Sequence, residues 1–367
     1  MRSFAPNSFA ENVRRQILRT MFYIGAGLAA MSQAFAVTLY AYDSTNSQIV
    51  SFASETPATF ITNVAVSGLG GDQLKAISFR PVTGELYGLV IPLVFGSSRL
   101  VKIDPVTGVT TNVGNGPTLS TSTQTPYGMA FDPVHDEIRV VSGSSNFRLS
   151  PGTGALLADD GELAYAATDP RVGQGVLVPK LAYSNTFAGA VSQTTAYVID
   201  SGLSGPNLID VLATLGSQGG NPVSASTGTL FSIAALDFHS ASYQGGFVVD
   251  PKSGTGLAVF RQSSNSYLNT INLTTGASQR VGQIGNGTNL IIGLAVAPIV
   301  GINPCLDLDG DGTVQPLTDG LLLLRALFGL TGTAVTNAAL PNPAPPRSTW
   351  ASIRAHMNGN CGMNFAP

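Results

Sequence analysis

Asp307, Asp309 and Asp311 occupy alternate positions of one short stretch, Asp307-Leu-Asp-Gly-Asp-Gly312. Alternate carboxylates in a glycine-bearing loop converge on a single hard cation, and this order matches positions one, three, five and six of an EF-hand calcium loop. Gly312 permits the sharp turn between the acidic residues. Thr313 would follow with a backbone carbonyl, and Gln315 takes the ninth position. Position twelve is Thr318, which offers no bidentate carboxylate. Asp319, one residue later, is expected to close the site, with Pro316 marking the extra residue. Without a cation these neighbouring carboxylates would repel one another, so metal binding and folding of the loop should be linked.

Few other residues are spaced for chemistry. The three histidines, His135, His239 and His356, are scattered singly, so no metal triad can be read and each is taken as a turn or surface residue. There is no G-x-S-x-G elbow. Two carboxylate groups are candidates for acid–base work: Asp132 with Asp136 and Glu137, and Asp159 with Asp160 and Glu162. Both fall at turn signals, Asp132-Pro133 and Asp159-Asp-Gly161, and the turn reading is preferred. Arg139 and Arg148 are expected on neighbouring strands of one blade, as solvated strand-face charges rather than as the lining of a polar end of the channel. Catalytic residues are expected to be absent.

The elements that would position these residues repeat along the chain. Ala76-Ile-Ser-Phe-Arg-Pro-Val-Thr-Gly-Glu-Leu-Tyr-Gly88 is echoed by Met129-Ala-Phe-Asp-Pro-Val-His-Asp-Glu-Ile-Arg-Val-Val141. Phe79, Phe131 and Tyr183 recur at a spacing of 52, and Phe238 and Val296 continue the series at wider intervals. A second motif ends in a Pro/Gly turn, at Lys102-Ile-Asp-Pro-Val-Thr-Gly108, Arg148-Leu-Ser-Pro-Gly-Thr-Gly154, Val249-Asp-Pro-Lys-Ser-Gly254 and Asn272-Leu-Thr-Thr-Gly276. Pro presets φ and Gly supplies positive φ, so each copy reads as a hairpin turn. A period near 50 residues holding four short strands is the mark of propeller blades. The chain is therefore read as all-β, a five-bladed β-propeller over residues 37–298, with an open β-sandwich as the competing architecture. Four blades are placed at 74–114, 126–166, 180–216 and 230–285. The fifth joins strands near 37–66 to the final strand, Leu290 to Ala297, and so removes the exposed sheet edges.

Composition and flanking segments set the context. Only 11% of the 367 residues are charged, the net charge is −3, and no Lys/Arg cluster lies beyond the N-terminus, so nucleic-acid binding is not expected. Residues 1–36 read as a signal peptide: Arg14, Arg15 and Arg19 precede an apolar stretch from Met21 to Met31 and the cleavage pattern Ala34-Phe-Ala36. That stretch is shorter than the ~20 residues a membrane-spanning helix requires, so the mature chain is expected to carry no transmembrane anchor. Export to the cell surface, periplasm or medium follows, by a route the segment leaves open. Residues 299–367 form a separate small α-helical module. In it a helix leaves the loop at Asp319, and a second, capped by Ser348 or Thr349, carries Trp350, Ile353 and Met357 inward. The only two cysteines, Cys305 and Cys361, would form a disulfide across this module in an oxidising compartment.

Two resemblances attach to these motifs. The series Phe79-Arg-Pro, Leu86-Tyr-Gly88, Phe131-Asp-Pro, Ile138-Arg-Val-Val141 and Phe147-Arg-Leu resembles the exported bacterial family known as domain of unknown function 4394. That likeness implies a propeller-like fold and no particular activity. The stretch from Asp307 to Arg325 resembles a dockerin-type repeat. Dockerins usually carry two such loops and dock onto cohesin modules of polysaccharide-degrading complexes, whereas one irregularly spaced loop is visible here. The function expected is that of an exported, non-enzymatic binding or structural protein with a protein or glycan partner and bound calcium. The alternative is a propeller enzyme acting on extracellular polysaccharide.

Overall fold

The computed structural model describes residues 36–94, 96–119, 125–186, 193–202, 209–237, 243–297, 306–311, 314–341, 344–361 and 363–365. The expected signal peptide falls on residues outside this set, except for Ala36. Five antiparallel sheets form the blades of a propeller. Blade 1 comprises β1 (Thr38–Asp43), β2 (Gln48–Ala53), β3 (Phe60–Ala65) and β21 (Ile291–Val296). Blade 2 holds β4 (Gln73–Phe79), β5 (Leu86–Ile91), β6 (Ser97–Ile103) and β7 (Thr110–Thr118), and blade 3 holds β8 (Gly128–Asp132), β9 (Glu137–Ser142), β10 (Ser145–Leu149) and β11 (Leu156–Asp159). Blade 4 runs through β13 (Lys180–Tyr183), β14 (Ala196–Asp200), β15 (Val211–Leu215) and β16 (Thr229–Ala235). The two-residue β12 (Ala164–Tyr165) is added in parallel at its outer edge. Blade 5 consists of β17 (Phe247–Val249), β18 (Gly256–Gln262), β19 (Asn265–Ile271) and β20 (Ser278–Gln283).

The ring closes as the pattern predicts. β21 pairs antiparallel with β1, Leu39 opposite Val296 and Ala41 opposite Leu294, so blade 1 is built from both ends of the domain. Asn289 Nδ2 donates to Asp43 Oδ2 at 2.6 Å beside the same seam, and the Ser44 N–H donates to the Leu290 carbonyl at 2.9 Å. Inner strands are apolar on both faces because each blade packs against a neighbour on either side. All six residues of β5, and all five of β8 and β15, are buried, which is why these strands lack polar alternation. The outer strands β3, β7, β11 and β20 keep mostly exposed or half-buried side chains.

Five clusters of buried side chains bridge the five blade-to-blade joints. Tyr87 and Leu89 of blade 2 meet Met129 and Phe131 of blade 3. Leu257 and Val259 of blade 5 meet Leu39 and Phe52 of blade 1. The others join blades 1 and 2, 3 and 4, and 4 and 5. Each fully buried Leu, Ile or Phe contributes about 1.5–3 kcal/mol, so the joints hold most of the stabilising energy of the domain.

The turn motif recurs more widely than the four copies read from the sequence. In six places the N–H of residue i+4 donates to the carbonyl of residue i: Gly84 to Arg80, Gly108 to Asp104, Asp136 to Asp132, Gly154 to Ser150, Gly254 to Asp250 and Gly276 to Asn272. The closing residue has positive φ each time, and in the third copy Asp136 (φ 54°) replaces glycine.

Blade boundaries differ from expectation in the second half. Ala234-Ala-Leu-Asp-Phe238 was expected to be an inner strand. Its first two residues instead end β16, the last long strand of blade 4, and Phe238 lies outside the described residues. The inner strand of blade 5 is Phe247–Val249. The cause is an insertion between β15 and β16, where two short 3-10 turns, Gln218–Gly220 and Ala225–Thr227, lengthen the repeat.

The C-terminal module contains α1 (Asp319–Leu327), a short α2 (Thr333–Thr336) and α3 (Trp350–Cys361). Thr349 caps α3, its Oγ1 accepting the Ser352 N–H at 3.2 Å. Leu308, Leu322, Val335, Trp350, Ile353 and Met357 form a buried cluster made only of residues from this module. Cys305 lies outside the described residues, so the expected disulfide falls there too.

This arrangement predicts different outcomes for two truncations. A chain ending at residue 298 keeps β21 and its propeller unfolds cooperatively on heating. A chain ending at 290 leaves the β1 edge open and is recovered as aggregate, as size-exclusion chromatography will report.

Candidate metal centre

The acidic loop occupies the start of the module, between the end of the propeller and α1. Ligand oxygens of Asp307, Asp309 and Asp311 lie within 4.8 Å of one another. Oxygens that share one calcium at 2.3–2.6 Å can be no more than about 5 Å apart, so the spacing suits that ion. Local hydrogen bonds set the curve of the loop: Asp307 Oδ1 accepts the Gly310 N–H at 2.7 Å, and Asp309 Oδ1 accepts the Asp311 N–H at 3.0 Å.

Asp309 is the informative member. It is fully buried, and its second oxygen, Oδ2, has no hydrogen-bond partner. Burial, together with the charges of Asp319, Asp311 and Asp307, pushes its carboxyl up to about 6, against one N–H from Asp311 that pulls the other way. A buried carboxylate oxygen without a donor is costly unless a cation or a proton meets it.

Asp319 is placed differently from its expected companions. It lies outside the three-carboxylate group, at the first turn of α1, and both its oxygens receive N–H groups from the loop. Oδ1 accepts from Leu308 at 2.6 Å and Asp309 at 3.1 Å, and Oδ2 accepts from Gln315 at 2.8 Å. It thus ties the loop to the helix. Gln315 Nε2 donates to Asp311 Oδ2 at 3.0 Å, and Gly312 and Thr313 lie outside the described residues.

One residue of this site had no signal in the spacing. Arg347, beyond the Pro-rich stretch, donates from Nε to the Leu308 carbonyl at 3.0 Å and from Nη2 to the Asp307 carbonyl, while its own N–H reaches the Asp309 carbonyl at 2.7 Å. Gly310 (φ +78°) makes room for it, since a Cβ there would lie 2.9 Å from the guanidinium carbon. The carbonyl side of the loop is therefore held by a cation, whose Nη2 also lies 3.6 Å from Asp307 Oδ2.

Among the described residues the propeller axis offers no comparable group. Its channel has a free volume of about 30 Å³ and is lined by side chains such as Phe79, Met129, Phe131, Phe247, Val249 and Val296. Among the described residues no carboxylate lines it.

The paired carboxylates considered for acid–base work are engaged elsewhere. Asp132 Oδ1 accepts the Val134 and His135 N–H groups of its turn, and Asp132 Oδ2 lies 3.0 Å from His135 Nδ1. Asp136 pairs with Arg80 of blade 2. Glu137 pairs with Arg148 at 2.7 Å, and Asp159 and Glu162 are exposed. His356 is buried in α3, and His239 lies outside the described residues.

Arg139 departs from the solvated-face expectation. It is 2% exposed and reaches across the joint between blades 3 and 4. Its Nε donates to Tyr183 Oη at 2.8 Å, Nη1 to Asn146 Oδ1 at 2.6 Å and to Asp160 Oδ2 at 2.7 Å, and Nη2 to Ser226 Oγ at 3.1 Å. Burial opposes the Asp160 charge, but hydrogen bonds from Arg148 and Arg139 outweigh it and hold the carboxyl below its usual range. Burial also pushes the Tyr183 phenol up to about 12. A polar cleft of about 320 Å³ beside this network is bordered by Glu137, Arg148, Thr194 and Ser226.

A family model covers most of the propeller's strands. The model of the family described as "Domain of unknown function (DUF4394)" matches residues 48–295. The chain belongs to that family. No curated protein matches it. Among solved structures it is similar to a chain of a nidogen/laminin complex, at 12% identity and a TM-score of 0.39, covering 71% of this chain and 98% of that one. A protein of unknown function from Bacteroides caccae matches at 10% identity and a TM-score of 0.37, covering 71% and 99%. TolB from Acinetobacter baumannii matches at 12% and 0.38, covering 72% of this chain and 55% of that one. No described helix is long and apolar enough to cross a membrane.

The Arg139–Asp160 pair predicts a measurable asymmetry. Asp160→Ala leaves Arg139 buried without its counter-ion and costs about 3–5 kcal/mol in urea unfolding. Arg148→Ala removes a partly exposed partner of the same carboxylate and costs less than Asp160→Ala.

Proposed function

We propose that the chain is an exported, non-enzymatic binding or structural protein whose C-terminal module binds one calcium ion. The observation that carries the calcium reading is Asp309, buried among two further carboxylates with one oxygen lacking a donor. A divalent cation would satisfy that oxygen, cancel the mutual repulsion and take Asp307, Asp309 and Asp311 as its protein ligands. Thr313 and Gln315 complete the set as expected from the loop order, and Asp319 shapes the loop and closes it. The dockerin likeness makes this module an attachment device, with a protein or glycan partner for the chain as a whole. The export reading rests on residues 1–36 and on the charge-poor composition. In an oxidising compartment the Cys305–Cys361 bond would staple the module.

Calcium is expected to raise the melting temperature of the module relative to chelator, and isothermal titration is expected to find one site. Asp309→Ala abolishes both effects. An unchanged melting curve between calcium and chelator defeats the reading.

The raised Asp309 pKa gives a pH dependence whose sign is fixed. In chelator the folded module holds this proton more tightly than the unfolded chain does. Stability therefore falls as pH rises from the ordinary carboxyl range towards about 6 and is level above it. With calcium the trend reverses, because only the ionised carboxyl ligates, and affinity weakens as pH drops through about 6. Titrations across that range, with and without calcium, measure both slopes.

A further inference from the structure

The insertion that lengthens blade 4 also walls the polar cleft between blades 3 and 4. Gly219, Gly220, Ser224 and Ser226, all from its two 3-10 turns and their flanks, border that cleft opposite Glu137 and Arg148 of blade 3. Buried groups hold the wall in place. Asn146 Nδ2 donates to the Ala225 carbonyl at 3.1 Å, the Gly161 N–H donates to the Ser226 carbonyl at 2.9 Å, and Arg139 donates to the Ser226 hydroxyl. Thr195 Oγ1 of blade 4 accepts the Gly219 N–H at 2.8 Å. Both turns of the inserted segment are thus fixed, and the space of about 320 Å³ is formed before any ligand arrives.

The polar groups around this space have capacity left over. A guanidinium carries five N–H groups. Among the described residues Arg139 uses four of them, on Tyr183, Asn146, Asp160 and Ser226, and Arg148 uses three, on Glu137 and Asp160. Glu137 Oε2 accepts from Arg148 at 2.7 Å, while Oε1 has no donor among the described residues. His135 stands at the lip, its Nδ1 lying 3.0 Å from Asp132 Oδ2, so Nε2 is left for a ligand.

Charge and hydrogen bonding select the ligand class. Two guanidinium groups face the carboxylates of Asp132, Glu137 and Asp160, so no positive surplus attracts an anion. Donor and acceptor also stand side by side at Arg148 and Glu137. A carboxylate ligand only accepts and an ammonium only donates, whereas a hydroxyl does both and satisfies the pair at once. The volume lies at the small end of ligand-holding clefts. We propose that this cleft is a saccharide site, taking a short stretch of neutral glycan whose hydroxyls bridge Arg148 and Glu137. The assignment rests on the reading of the chain as a binding protein and seats its ligand on the propeller, apart from the calcium loop.

The test uses the full chain. A glycan array, followed by isothermal titration with the neutral oligosaccharide it selects, is expected to find one site. Val134 borders the cleft and is 36% exposed, so Val134→Trp covers the space without disturbing the buried network. That variant and Glu137→Gln are each expected to weaken binding about tenfold or more. An oligosaccharide of uronate units is expected to bind about tenfold more weakly than its neutral counterpart. Absence of any neutral glycan from the array, unchanged affinity in Val134→Trp, or preference for uronate overturns the proposal, and the first and third outcomes need no variant to fold. Cleavage of the bound sugar, read by chromatography, upholds the site and defeats the non-enzymatic reading instead. Calcium titration of the module is a separate measurement, so failure there is distinguishable from failure of the cleft.

Discussion

The pairing of β1 with β21 is the constraint on which the rest of the molecule depends. No blade has a core of its own; each buried cluster belongs to two neighbouring sheets. A ring built this way leaves no half-covered sheet only when its last joint is made. The two clusters flanking blade 1 both include β21, which supplies Leu294 and Val296 to one and Ala295 to the other. Losing that strand therefore uncovers two joints at once.

Charges obey a related logic at those joints. Arg80 of blade 2 meets Asp136 of blade 3, and Arg139 of blade 3 is held by Asp160, Tyr183 and Ser226. In a chain with so few charged residues, these pairs are placed where two sheets must choose one relative position. A buried ion pair is weak evidence for stability but a demanding geometric condition. The acidic loop breaks the rule, since three carboxylates there approach one another and the nearest cation, Arg347, engages mainly their backbone carbonyls.

Much of the architecture was legible in the sequence because it is local and repeated. Phe79, Phe131, Tyr183 and Val296 mark inner strands, and the Asx–Pro–Gly turns punctuate the hairpins. The Asp307–Asp311 group was legible for the same reason: alternate spacing in one turn needs no knowledge of the fold. Blade 5 was misplaced because Ala234-Ala-Leu-Asp-Phe238 is as apolar as a true inner strand, and no local feature announces the insertion that shifts the register. Arg139, Arg347 and Lys180 were illegible for a different reason. Their environments are made by residues far along the chain, such as Tyr183 for Arg139 and Leu308 for Arg347. A lysine opening a strand looks the same in sequence whether its amine meets solvent or the carbonyl of Tyr243.

The seam at Asp43 and Asn289 joins residues 246 positions apart. During synthesis β1 emerges first and must wait, unpaired along one edge, until β21 has followed. Contacts of such long range form slowly compared with hairpins. The nascent polypeptide therefore carries an adhesive border until the strand that locks the circle has been made.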